Sequence, residues 1–158
     1  MPRIELPQDG TCRCGRVRFR ITAPPLLTMA CHCRGCQRMT ASAFSLSVAV
    51  PTDGFVVMGQ TEPGGMHADG QDHRHCGWCK SWLFTRLLPA FGFVNVRAAM
   101  LDDPSWYAPF VETYTSEASA WATTGAPHSY ARFPTADDYP TLIAAYADGF
   151  TIGYAPRP

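Results

Sequence analysis

Seven cysteines in 158 residues fall into three tight groups: Cys12-x-Cys14, Cys31-x-Cys33-x-x-Cys36 and Cys76-x-x-Cys79. No other feature restricts the fold as strongly. The count is odd, and the chain opens on "MPRIELPQDG", which has no apolar leader. Both facts argue against a disulfide framework and bring metal binding or catalysis forward. In extended backbone, residues two apart project to the same side, so Cys12 and Cys14 can reach one ion, and a C-x-x-C turn does the same. A closed structural zinc site takes four ligands. The natural pairing joins Cys12 and Cys14 to Cys76 and Cys79, clamping the first strands to a segment far along the chain.

That leaves Cys31, Cys33 and Cys36 as a three-thiolate set, with Cys31 and Cys33 sharing a face, Cys36 closing the third corner and His32 pointing away. A three-ligand zinc site keeps one position open. A soft fourth ligand suits it best, and a thiol held there would lose its proton near neutral pH, poised to add to an electrophilic carbon. Three other readings stay open. His73 or His75 could complete a Cys₃His structural site, the cysteines could be reduced and metal-free, or Cys76-Gly77-Trp78-Cys79 could be a redox motif. The last lacks the βαβ surroundings that such a motif expects.

Short alternating runs separated by Gly and Pro predict a mainly β fold. Val17, Phe19 and Ile21 alternate with Arg16, Arg18 and Arg20, and Gly15 marks a turn or bulge where the chain changes face. Phe44, Leu46, Val48 and Val50 alternate likewise and predict, with "FVVM" at 55–58 after the turn "PTDG", a hairpin. "SWLFTR" and "FVNVRA" read as two further strands, Gln60 to His73 as a polar surface loop, and "LDDPSWYAP" as a turn-rich cover. Thr135 and Asp138 offer a capping box, but Pro140 sets the expected C-terminal helix at Thr141 to Ala147.

The length suits one domain over residues 1–158 with a real core. Formal charge is zero, yet Arg3, Arg13, Arg16, Arg18, Arg20, Arg34 and Arg38 crowd the first quarter and Lys80 is the only lysine. A neutral chain without a charge run does not predict a nucleic-acid partner; arginines offsetting thiolate charge explain the bias as well. No segment approaches the roughly 18 apolar residues of a membrane span, so a cytoplasmic protein is expected, with no membrane partner and an oligomeric state left open.

"GTCRCGRVRF" at 10–19, "CHCRGCQR" at 31–38, "HCGWCKSWLF" at 75–84 and "VNVRAAMLDDPS" at 94–105 together resemble the glutathione-dependent formaldehyde-activating enzyme family, which includes the centromere protein V-like proteins. The resemblance covers residues 10–125. It implies an Mss4-like, zinc-stabilised β-tent with two zinc ions per chain, one structural at Cys12, Cys14, Cys76 and Cys79 and one catalytic at Cys31, Cys33 and Cys36. It also implies a carbon–sulfur lyase chemistry run in the synthetic direction, with glutathione as co-substrate and formaldehyde as the aldehyde. Three positions depart from the usual pattern: Lys80 and Ala41 stand where Gly is common, and Gln37 where Arg is.

Arg34 and Arg38 flank the trio, and their guanidinium forks suit the two carboxylates of glutathione, or simply offset thiolate charge. His32 and His75 can shuttle protons or hold hydrogen bonds. Trp78, Trp82, Phe84, Phe91 and Phe93 read first as core and second as a pocket, and Asp102 and Asp103 as turn groups. A rival of another class is a zinc-stabilised binding module or glutathione carrier without turnover.

Overall fold

The computed structural model describes residues 3–65, 70–149 and 151–154. The first half of the chain runs β1 (Arg3–Leu6), β2 (Gln8–Thr11), β3 (Arg18–Ile21), β4 (Leu27–Cys31), α1 (Arg34–Thr40), β5 (Ser45–Pro51), β6 (Phe55–Met58) and β7 (Thr61–Pro63). The second half continues β8 (Gln71–Cys76), β9 (Trp82–Leu87), β10 (Phe93–Arg97), β11 (Val111–Thr113), β12 (His128–Ser129), α2 (Asp138–Asp148) and β13 (Thr151–Tyr154). The protein is mainly β, as the alternation predicts.

Eight strands form one sheet in the order β12-β11-β4-β5-β10-β9-β8-β7, and β2-β3-β6 form a second. Pairing is antiparallel through the centre of the large sheet, but β11 runs parallel to β4 and β12, and β1 parallel to β13. In β3 the alternation sends Phe19 and Ile21 inward and leaves Arg18 and Arg20 exposed. Those two apolar residues meet Val48, Val50, Val94, Val96 and Phe84 from the large sheet, closing a core between the two sheets. On the other face Leu27, Met29 and Ala49 pack with Val111 and with Leu142 and Tyr146 of α2. The central strands β4 and β5 therefore have two buried faces, which explains why Ser45, Ser47, Val48, Ala49 and Val50 of β5 are all buried whatever their parity.

Several expected elements are revised. β5 and β6 do not pair: after Pro51 the chain makes one 3₁₀ turn and crosses into the second sheet, where β6 pairs with β3. The segment expected as a loop contributes β7 and the first half of β8, with 66–69 outside the described residues. Helix α2 begins at Asp138, ahead of Pro140, because the first-turn N–H groups of a helix have no intrahelical partner for a proline to remove. The Asp138 carboxylate accepts from the Thr135 backbone N–H and hydroxyl at 2.7 Å, a capping contact between the two residues expected to form one. Trp106 and Tyr107 do cover the sheet: the indole donates to Gln8 Oε1 at 3.2 Å, and the phenol to Met29 O at 2.8 Å. No helix among the described residues is long and apolar enough to cross a membrane.

Candidate metal centres

The first cysteine group sits on a loop between β2 and β3, where Gly15 takes φ +79° and its N–H bonds back to Cys12 O at 2.9 Å. A matching turn closes the last group. Lys80 N–H bonds to Cys76 O at 3.1 Å with Lys80 at φ +60°. A non-glycine residue pays ~1–2 kcal/mol there, and the Lys80 ammonium secures the turn by bonding Gly77 O at 2.8 Å and pairing with Glu62. The two turns bring the sulfurs of Cys12, Cys14, Cys76 and Cys79 within 4.8 Å of one another. Cys12 lies 3.5 Å from Cys14, and Cys14 3.8 Å from Cys76. A tetrahedral site with Zn–S of ~2.3 Å has sulfur–sulfur edges of about 3.8 Å, so the set fits a metal ion. Cys12 and Cys76 are buried in the core between the sheets, which makes this cluster a structural part of the fold.

The second group straddles a strand end and a helix start. Cys31 closes β4, Cys33 caps α1 with its sulfur accepting the Cys36 N–H at 3.3 Å, and Cys36 lies in the first turn. Their sulfurs also lie within 4.8 Å of one another, and no histidine or carboxylate among the described residues joins them. His73 and His75, the candidate fourth ligands, stay with Trp82 instead. His73 Nδ1 pairs with Thr85 Oγ1 at 2.9 Å, its ring meeting Trp82 edge-on, while His75 stacks on the same indole. His32 points away from the trio as expected, fully buried, with Nε2 3.2 Å from Glu112 Oε2.

Crowding three thiols makes them share protons unequally. The hydrogen bond from Cys36 brings Cys31 down to about 5 against the opposing effect of burial, with the Thr113 hydroxyl assisting. The same contact, with burial added, pushes Cys36 up. Such a set gains from a cation that stabilises all three thiolates at once.

One cation is already built in. Arg97 is 7% exposed, and no carboxylate pairs with it among the described residues. Its guanidinium lies 4.1 Å over the Trp82 ring and reaches Ser45 Oγ and Asn95 O at 3.4 Å each. Ser45 is the register partner of Cys31 and a hydrogen-bond partner of Cys36. Burial lowers the Arg97 pKa, and the negative fields of Cys36 and Cys31 act against that. Sequence reading passed over this residue. The only signal was an arginine ending a buried strand whose parity it shares with polar Asn95.

Arg34 and Arg38 are exposed on α1. The Arg34 backbone N–H donates to Glu117 Oε2 at 2.6 Å, and its guanidinium donates to Gln37 Oε1. With Gln37, Ala41–Ala43, Ser119 and Trp121, the two arginines line an open pocket of 390 Å³. Gln37 is buried and donates to His32 O at 2.6 Å and Glu117 O at 3.0 Å, so it anchors α1 rather than facing a ligand as a charge. Ala41 ends α1 in the left-handed region at φ 50°, the conformation that explains why glycine is common there.

Comparison with known proteins agrees with the cysteine geometry. A curated protein of Halomonas elongata, named "Putative glutathione-dependent formaldehyde-activating enzyme", is 31% identical over 105 residues. That match spans 60% of this chain and 65% of the length of the Halomonas protein. A Rhodobacter sphaeroides protein of known crystal structure is a looser likeness, with 18% identity, 60% of this chain, 87% of that chain and a TM-score of 0.49. The model of the family described as "Glutathione-dependent formaldehyde-activating enzyme" matches residues 7–117, a stretch that holds both sulfur clusters and Arg97. By that match over most of its length, the chain belongs to the glutathione-dependent formaldehyde-activating enzyme family.

Proposed function

We propose that the protein adds a thiol, with glutathione the best candidate, to a small aldehyde such as formaldehyde, and that it does so at Cys31, Cys33 and Cys36 with zinc. The observation that carries this reading is a set of three converging sulfurs with no fourth protein ligand among the described residues, beside a buried, carboxylate-free arginine. Cys12, Cys14, Cys76 and Cys79 are assigned to a second, structural zinc. At the open site, zinc when bound supplies Lewis acidity and keeps a thiol ionised near neutral pH. The reaction forms one carbon–sulfur bond, moves the C=O π electrons onto oxygen and places the thiol proton there, so nothing is oxidised or reduced. The activity is a carbon–sulfur lyase reaction run in the synthetic direction.

The residues around the site have separate tasks. Arg97 offsets the negative charge that accumulates when a fourth thiolate joins three others, a desolvated pairing that water does not screen. Ser45 and Thr113 hold the sulfurs of Cys36 and Cys31 through their hydroxyls. Arg34 and Arg38, exposed on α1, offer guanidinium groups to the carboxylates of glutathione. A general base is not required for the first step if the sulfur arrives ionised.

The reading is tested by exchange NMR with ¹³C-formaldehyde and glutathione, comparing the exchange rate with and without zinc-loaded protein. The expected result is an acceleration over the uncatalysed reaction that disappears in Cys36→Ser. Equal rates with and without protein, while glutathione still binds, would favour a glutathione carrier instead.

A further inference from the structure

The face of the large sheet that packs on α2 also carries a cavity of 650 Å³ that the thiol chemistry does not use. Its floor is Leu27 and Met29 of β4, Ala49 of β5 and Asn95 of β10, and its walls include Leu88, Phe91, Phe133 and Ile143. The volume falls within the range of small-molecule sites. Leu88, Phe91 and Phe133 are respectively 53%, 59% and 52% exposed, so three large apolar side chains stand in water around one opening. A contiguous apolar rim of that kind marks a binding surface more often than an isolated exposed side chain does.

The lining also defines what can enter. Among the described residues it contains no Asp, Glu, Lys, Arg or His, so an ion bound there would lose its hydration without a counter-charge from them. Polar groups are few. Asn95 is set into the apolar floor, and among the described residues its Oδ1 has no hydrogen-bond partner, so they leave that carboxamide incompletely used. A carboxamide can accept or donate, and a hydroxyl is the small uncharged group that answers either end.

We propose that this cavity binds an uncharged, mainly hydrocarbon molecule carrying one hydroxyl, with the chain against Leu27, Met29, Phe91 and Phe133 and the hydroxyl at Asn95. None of Cys31, Cys33, Cys36 and Arg97 lines the cavity, and the proposal stands whether or not the protein turns over a thiol.

The test uses 1-octanol, octanoate and octylammonium as probes on the zinc-loaded full chain at pH 7, followed by amide NMR. The expected result is saturable shifts at Leu27, Ala49, Phe93 and the Asn95 carboxamide, with octanol at least tenfold tighter than either ion. Ala136→Trp, at an exposed position lining the cavity, should weaken octanol at least tenfold, and Asn95→Leu at least threefold. Absence of saturation, equal affinity for octanoate, or shifts spread to the exposed Val56 and Met58 would overturn the proposal. The charge series needs no variant, so a misfolded mutant would not rescue it.

Discussion

Replacing Arg97 by Met should move two measurements in opposite directions. The guanidinium is buried and, among the described residues, has only a serine hydroxyl, a backbone carbonyl and an indole face for company. In metal-free protein Cys33 and Cys36 are pushed up and hold their protons while Cys31 is brought down, so the cation meets one thiolate and its desolvation is only partly compensated. Arg97→Met should then be neutral or slightly stabilising, as for other unpaired buried charges replaced by apolar groups of similar length. In loaded protein the site carries net negative charge from three thiolates around a divalent ion. The guanidinium reaches Ser45 Oγ at 3.4 Å, and Ser45 in turn bonds Cys36, which places the charges two hydrogen bonds apart, roughly 6 Å. At an effective dielectric of ~20 that separation corresponds to about 3 kcal/mol per unit charge. The loss is equivalent to ~100-fold in affinity for the more weakly held zinc. A chelator competition series counting both zincs, together with thermal unfolding with and without chelator, reads both effects. Arg97→Lys keeps the charge but not the planar fork and should fall between. Zinc affinity within threefold of wild type in Arg97→Met would refute the charge argument.

Other perturbations separate the two centres and the turns that build them. Cys76→Ser breaks a cluster lodged in the core and should abolish cooperative unfolding, whereas Cys36→Ser should leave a cooperative melt; circular dichroism during heating distinguishes them. Lys80→Gly removes a left-handed strain of ~1 kcal/mol but also an exposed ion pair of at most about 1 kcal/mol, so the melting temperature should stay level or rise by roughly 3 °C. A fall larger than that would show that the Lys80 contacts outweigh the strain. Gln37→Ala leaves the His32 and Glu117 carbonyls without their donor and should cost about 1–3 kcal/mol by urea titration, with faster loss of the more labile zinc. An unchanged urea midpoint would mean that α1 is held by other contacts.

Much of the site was legible because ligand geometry is local. Two-residue parity puts Cys12 beside Cys14, the C-x-x-C turn puts Cys76 beside Cys79, and these alone separate the clamp from the trio. Strand assignments followed where apolar and polar residues alternate, as in β3, and the left-handed conformation of Lys80 accounts for the Gly that is common at that position in the family. What the sequence hid depends on long-range partners. Helix α1 spans only Arg34–Thr40, too short to display a helical period, and its start is fixed by a cysteine acting as cap. The expected hairpin failed because one turn after Pro51 delivers β6 to β3 rather than to β5. Arg97 resembles a surface residue until Trp82, Ser45 and the trio are brought around it by β9, β5 and β4. Gln37 looks like a lost charge until its two carbonyl partners are known.

Native mass spectrometry of protein purified under reducing, zinc-replete conditions, with and without glutathione, tests the open three-cysteine centre most directly. Two zinc ions per chain and a glutathione adduct are expected on the wild type. One zinc and no adduct are expected on Cys36→Ser, which should otherwise keep a folded charge-state distribution. One zinc and no adduct on the wild type, or an adduct that persists in Cys36→Ser, would contradict an open thiol site at the three cysteines.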